Sequence, residues 1–409
     1  MPNKKYINEY ILFFIWPIAS FFRAINRYHK PWAKNVVWLF VAFYGFTFLA
    51  ASEGVDSFHY MRKLSEMHNE QTDFSTLLNS LYTLGGAKDL FVPFLLYILS
   101  RFTEDPRILF LMVGLIFGYF FSRNLAIIQQ RIGIQTKGYL FLLFVILILI
   151  NPIWNINGVR FWTAVNVFLY GTLNFFLLNK SKKGLFFVAI SALFHFSFLI
   201  TFPVLVIYYI VGNRYSVFLI LYLASFFISS ISVEPIQKIA ESFAPAFADK
   251  AQVYTDQKYM LERQETGNNR SIFSLVFINV IKYMILILIL YVHFIFKKKG
   301  KLKSDLTLYN LFNFSLFFMG VFYILDYIPS VGRFIAIANF LFIALFILIF
   351  HEYRIKHKVV YYSILPLSLI FILGKLYIGS AFIGLFTFAN PLLALWGPGE
   401  NTLWGIFIE

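Results

Sequence analysis

Residues 150–162 read INPIWNINGVRFW. Apolar runs flank this stretch on both sides, yet it holds Asn151, Asn155, Asn157, Gly158 and a single arginine, Arg160. A fixed charge in such a place has meaning only relative to a membrane.

Of 409 residues, 59% are hydrophobic and 13% charged, against about 25% charged in soluble domains. Hydrophobic runs recur along the whole length, more than a water-soluble core could hide. The composition predicts an all-α polytopic integral membrane protein, because a β-barrel would show short alternating segments instead. With no cysteine, disulfides, thiolate nucleophiles and cysteine metal sites are excluded. The run from Tyr10 to Phe22 contains Pro17 and lacks a small-residue cleavage site, so no cleavable signal peptide is expected.

A crossing helix needs about 20 apolar residues, fewer where its flanks snorkel. Crossings are predicted near 36–51, 107–122, 138–151, 160–178, 184–198, 200–211, 215–231, 272–296, 306–325, 332–350 and 359–376. The segments 10–23 and 90–102 are short, and each reads as a tilted span, a re-entrant helix or an interfacial one. This makes about 11 to 13 transmembrane or re-entrant helices in a single polytopic domain, residues 1–409.

Charge sets the orientation. The loops RAINRYHKPWAK, SRNLAIIQQRIGIQTK, NKSKKG, GNRYS, KKKGKLK and HEYRIKHK hold more than half of the 35 Lys and Arg. The opposite loops hold nearly all of the 20 acidic residues. The positive-inside rule places the first set in the cytoplasm and the segments 51–89, 233–270 and 377–409 outside. For the alternation to hold, segment 90–102 must return to the side it came from. The +15 net charge is then mostly a topology signal, and dispersed basic loops give no nucleic-acid surface.

The opening stretch now has a place: an outer turn between an outgoing and a returning helix, with Arg160 at the start of the latter. Arg160 alone could snorkel to headgroups. Below it, however, Thr163, Asn166, Tyr170 and Asn174 continue at helical spacing, and such a stripe should face protein or a polar cavity. His195, in ISALFHFSFLI, lies at the same end, as either a backbone-bonded core histidine or a proton acceptor. Asp56 and Tyr60, four apart in SEGVDSFHYMRKL, share a helical face, and Asp56 is a candidate helix N-cap or active-site acid. Asp326 and Arg333 straddle another outer turn, where they could pair. Arg333 nevertheless repeats the placement of Arg160, and two guanidinium forks suit a phosphate group. Lys282 sits too deep in its span for an end anchor and could line a cavity or pair with an acid. P-loop, dinucleotide, HExxH, GxSxG and outer DxD patterns are missing, as are the interrupted repeats of many transporters.

The order GVDSFHY (54–60), NGVR (157–160), KSKK (180–183), LFHFS (193–197) and Arg333 resembles the EpsG-like group of Wzy-type bacterial polysaccharide polymerases, which make O-antigens and exopolysaccharides. The likeness covers roughly residues 36–350. It departs at Val55 and Ser57, where the family commonly has threonine and tyrosine, and at Phe161, where glutamine is usual. The resemblance implies a GT-C-like, metal-independent glycosyltransferase in the bacterial cytoplasmic (inner) membrane, working at its outer face without a cofactor. It implies an undecaprenyl-pyrophosphate-linked glycan as donor, a sugar hydroxyl on a lipid-linked unit as acceptor, membrane lipids around it, and room for a chain-length regulator as partner. On that reading Arg160 and Arg333 hold the pyrophosphate, with Asn157, Asp326 and Lys282 on the substrate side. Tyr60 stacks on sugar, and His195, or else Asp56, takes the acceptor proton. Competing readings are a polyprenyl-phosphate-dependent transferase adding one sugar or branch, a membrane acyltransferase using His195, and a lipid-glycan transporter.

Overall fold

The computed structural model describes residues 6–49, 55–81, 89–228, 272–299, 305–326, 328, 330–354, 358–396 and 402–407. The segment 233–270 therefore lies outside the described residues. Among those described, the chain is all-helical. Five stretches are long and apolar enough to cross a bilayer: 106–132, 139–176, 306–324, 331–352 and 360–380.

The short segment at 10–23 is two helices, α1 (Ile7–Ile15) and α2 (Pro17–Asn26). Proline fixes its own φ and suits a first helical turn, so α2 starts at Pro17 and the chain folds back at Trp16. Glu9 pairs with Arg23 across the fold at 2.8 Å. This hairpin leans on α3 (Ala33–Phe46), where the Phe21 and Phe40 rings stack 4.4 Å apart.

After α4 (Asp56–Asn69) and α5 (Phe74–Ser80) comes α6 (Phe91–Ser100), ten residues long. Leu90 N–H at its start bonds Leu193 O, and Ser100 O at its end meets His68 of α4. Both ends of α6 are thus tied to the same end of the bundle, which suits a helix that returns to its own side.

The next helix, α7 (Pro106–Ile132), begins with an Asp105 cap and Pro106 and stops at Gly133, whose φ is +72°. Its 27 residues exceed the predicted span 107–122. Ser122, Arg123 and Asn124 end the apolar run but not the helix, because Arg123 lies over the Trp38 ring and bonds Asn35. Helices α3 and α7 run antiparallel in backbone contact. A Cβ at Gly45 would stand 2.1 Å from Phe110 O, and one at Gly114 2.7 Å from Val41 O. Without a hydrophobic drive between helices in lipid, such close approach by small residues supplies the packing.

The break at Asn151–Pro152 divides α8 (Tyr139–Ile150) from a 3-10 turn, Ile153–Gly158, and α9 (Val159–Phe176). Next comes α10 (Ser181–Phe194), which ends at His195 in an extended conformation. A 3-10 turn over Phe196–Ile200 then leads into α11 (Thr201–Val211). Further along, the described residues form α12 (Tyr215–Ala224), α13 (Ile272–Lys299), α14 (Leu306–Ile324), α15 (Ile335–Glu352) and α16 (Lys358–Ser380), with two short helices, Pro391–Ala394 and Leu403–Phe407, after them. α15 is the most buried of the long spans and α16 the least.

Hydrogen bonds gather the basic loops at one end of the bundle. Gln135 meets Asn26, Arg131 meets Thr307 at 2.8 Å and Asp305, and Tyr208 reaches Asn310 O. At the other end Tyr44 bonds Phe382 O and Thr47 bonds Thr387. The 150–162 turn and the His195 break lie at this second end.

Candidate functional site

The asparagines of the opening stretch build the turn that presents Arg160. Buried Asn151 donates to Trp162 O at 3.3 Å and accepts from Asn155 at 2.9 Å. The first bond ties the break before Pro152 to the first turns of α9, and the second, between two side chains, folds the 3-10 turn back onto the break. Asn157 accepts from Ser57 Oγ at 2.6 Å, seating α4 on the turn.

Arg160, the second residue of α9, donates from Nη1 to Asp89 Oδ2 at 2.7 Å. The Arg160 side chain is 34% exposed and that of Asp89 1%. The other carboxylate oxygen, Oδ1, accepts the Phe196 backbone N–H at 2.6 Å. One buried carboxylate therefore joins the start of α9 to the residue directly after His195. Asp89 carries no motif and stands outside the apolar runs, so the sequence reading missed it. Its only signal is position: an acid just before the short apolar segment 90–102.

Tyr60 is buried on α4, with the Arg160 guanidinium carbon 5.9 Å from its ring centroid. Burial pushes the Tyr60 hydroxyl up to about 12 although Arg160 pulls the other way, so it stays a neutral donor and acceptor. Asp56 is the exposed first residue of α4, and its charge is felt by Tyr60 and Arg160. The cap position belongs to Val55, which makes no side-chain bond, so the N-cap reading of Asp56 is corrected. As an acid in the first turn it still suits the helix dipole.

His195 is buried, edge-on to the Phe161 ring at 5.4 Å. Its Nδ1 accepts the Ser197 backbone N–H at 3.3 Å and lies 2.7 Å from Ser197 Oγ. A neutral imidazole that accepts at Nδ1 carries its proton on Nε2. That tautomer offers a donor where a base needs a lone pair.

Arg333 lies in the 3-10 turn Val331–Phe334 that opens α15, with its guanidinium carbon 4.9 Å from the Phe161 centroid. It is exposed, and its charge, like that of Arg160, reaches His195. Phe161, the departure from the family pattern, thus packs between His195 and Arg333. Asp326 Oδ1 stands 2.0 Å from where a Cβ of Gly332 would be, so only glycine fits there. Lys282 stands apart from this cluster, its ammonium 4.4 Å from the Phe226 centroid and 5.0 Å from that of Tyr323, within reach of the Asp326 charge.

The stripe below Arg160 faces protein. Thr163 and Asn174 bond carbonyls of their own helix, Asn124 of α7 donates to Asn166 O, and Lys183 donates to Tyr170 Oη at 2.8 Å. It holds α9 between α7 and α10 and leaves the chemistry to the end of the bundle.

An all-helical bundle with five apolar stretches able to span a bilayer, and a buried polar cluster at one end, defines a candidate multi-pass membrane protein. Residues 35–390 match the EpsG family, and the chain belongs to it. That family is linked to exopolysaccharide biosynthesis. No curated protein and no solved structure matches the chain.

Proposed function

We propose that the chain is a Wzy-type polysaccharide polymerase in the bacterial cytoplasmic membrane. It would transfer a glycan from undecaprenyl pyrophosphate to a sugar hydroxyl of a lipid-linked unit, at the outer face. One observation carries the reading: Asp56, Tyr60, Asp89, Arg160, His195 and Arg333 converge at the end of the bundle opposite the basic loops.

In this reading the exposed Arg333 guanidinium binds the pyrophosphate, and Arg160, held by Asp89, adds its field. His195 Nε2–H donates to the leaving group, since positioned donors stabilise charge as it develops. The acceptor oxygen attacks the anomeric carbon from the far side, the bond to the pyrophosphate oxygen breaks, and configuration inverts. The hydroxyl proton passes to the exposed Asp56 carboxylate, and the diphosphate departs with the bonding electrons. A positioned base contributes about 10² to 10⁴ in rate.

The test uses purified protein in nanodiscs with a lipid-linked repeat unit, and reads product length on gels. Asp56→Asn should fold and bind donor yet lose turnover by about 10²-fold or more, and a variant that turns over normally would remove Asp56 as base. His195→Gln, which keeps an N–H donor, should lose less than His195→Ala. Equal, complete losses would instead assign the imidazole to proton transfer. One observation favours a second reading: Asp89 already neutralises part of the Arg160 charge, which suits a monophosphate donor. A single-sugar product in place of a ladder would decide for that transferase.

A further inference from the structure

Behind the turn that presents Arg160 lies a cavity of about 520 Å³, within the ~300–1,000 Å³ usual for small-molecule sites. It is bounded by α2, α3, α8 and α16 and walled by apolar side chains, among them Phe21, Phe40, Leu149, Trp154 and Ile372. α8 contributes from Phe141 to Leu149, about 12 Å at 1.5 Å per residue, with Pro152 beyond the helix end. The cavity thus runs along the helix axes through a little under half of a ~30 Å hydrocarbon core. It opens sideways, because Phe22 and Leu376 of its lining are exposed and α16 is the least buried long span.

The groove and the polar cluster share one element. Ile153 and Trp154 of the 3-10 turn line the groove, while Asn157 of the same turn holds Ser57 and Arg160 lies two residues beyond the turn. At about 2 Å rise per residue, Trp154 and Asn157 are separated by only ~6 Å along the turn. Trp154 is clamped on α16, since a Cβ at Gly379 would stand 2.9 Å from its ring.

We infer that this groove binds the isoprenoid chain of the lipid carrier, holding the first prenyl units below the phosphates. The inference rests on the proposed function for the phosphate end. A lipid whose diphosphate sits at the arginines must send its tail into the bilayer, and the groove is an apolar exit that begins at the arginine-bearing turn. Its aromatic walls suit a branched, unsaturated chain, whose methyl and alkene edges pack against ring faces.

The full chain in phosphatidylcholine nanodiscs is titrated with inorganic pyrophosphate, farnesyl diphosphate and undecaprenyl diphosphate. Affinity should rise with chain length, undecaprenyl diphosphate binding at least about tenfold more tightly than pyrophosphate, a gain that buried methylenes readily supply. Leu149→Trp or Ile372→Phe, which fill the groove, should erase that gain and keep pyrophosphate affinity. Arg333→Ala should weaken all three ligands alike. Where a filling variant does not fold, a diazirine-bearing prenyl diphosphate on the unaltered protein gives the answer. Adducts within 141–154 or 372–388 support the groove. Adducts elsewhere, unchanged chain-length dependence in the filled variants, or equal competition by phosphatidic acid of matching carbon number would overturn it. Chain-dependent binding in a protein that transfers no sugar would retain the groove and defeat the polymerase reading alone.

Discussion

Arg160 and Arg333 each open an apolar helix, yet the first is about two-thirds covered and bonded to a buried carboxylate, while the second lies exposed over Phe161. A cation half out of water needs a counter-charge, because desolvation costs several kcal/mol per ion. Asp89 supplies that charge and spends its other oxygen on the Phe196 N–H. Arg160 therefore shapes the site as much as it charges it. Arg333, exposed at its turn, is the better placed of the two to receive an anion.

Asp89→Ala should do the greatest damage. It leaves Arg160 partly buried without its carboxylate and frees the Phe196 N–H, for a loss of about 3–5 kcal/mol. Thermal unfolding in nanodiscs reads the loss. Arg160→Ala should cost nearly as much, and the double variant much less than the sum, since the two share one interaction. Additive losses would mean that the pair is incidental, and the contrast with Arg333 would collapse.

Arg333→Lys tests the other arm. Exposed substitutions usually stay within about 0.5 kcal/mol of the parent, so the melting point should hardly move. An ammonium cannot reproduce bidentate phosphate binding, so transfer should fall by about tenfold or more, a loss of ~1.4 kcal/mol. Full transfer by the lysine variant would make Arg333 a general charge and no more.

Much of this contrast is legible in the residue pattern. Composition showed the apolar bundle, and the helix break at Asn151–Pro152 lies where the predicted crossings 138–151 and 160–178 leave a turn. Arg160, His195, Tyr60 and Asp56 were legible because each interrupts or flanks an apolar run. Asp89 was not, because its role comes from contacts 71 and 107 positions away along the chain. The stripe under Arg160 shows another limit. Periodicity told which face is polar, but only packing told that Asn124 and Lys183 meet it. The hairpin at Trp16 was hidden because two short antiparallel helices and one tilted span share the same apolar composition. The donor tautomer of His195 depends on the 3.3 Å bond from Ser197 N–H, which no spacing rule encodes.

Gly332→Ala sharpens the Arg333 side through the backbone that carries it. The new methyl would collide with Asp326 Oδ1, 2.0 Å from the ideal Cβ position, and overpacking of this kind costs about 1–3 kcal/mol. Asp326→Ala placed on top should recover most of the loss. A stable Gly332→Ala protein with unaltered transfer would show that the turn carrying Arg333 tolerates displacement, unlike the turn carrying Arg160.

The smallest effect belongs to the rim of the Arg160 side. Glu104 precedes α7 and accepts from Ser65 Oγ at 2.7 Å and Asn69 Nδ2 at 3.2 Å, fastening the far end of α4. The Ser65 bond, with that of Asn69, holds its carboxyl below the ordinary value of 4.5. A carboxyl whose folded value is depressed adds stability above its unfolded value and loses it as pH falls through the folded one. The difference in melting temperature between the parent and Glu104→Gln should therefore be constant near neutrality and shrink as the pH drops below about 4.5. Asp73 and Asp105 are depressed as well, so only the difference between the two proteins reports on Glu104. If that difference stayed flat down to pH 3, the Glu104 bonds would contribute nothing to holding α4, which would rest on its other contacts, among them Ser57 to Asn157, His68 to Ser100 O and the buried Tyr60, Leu64 and Met67.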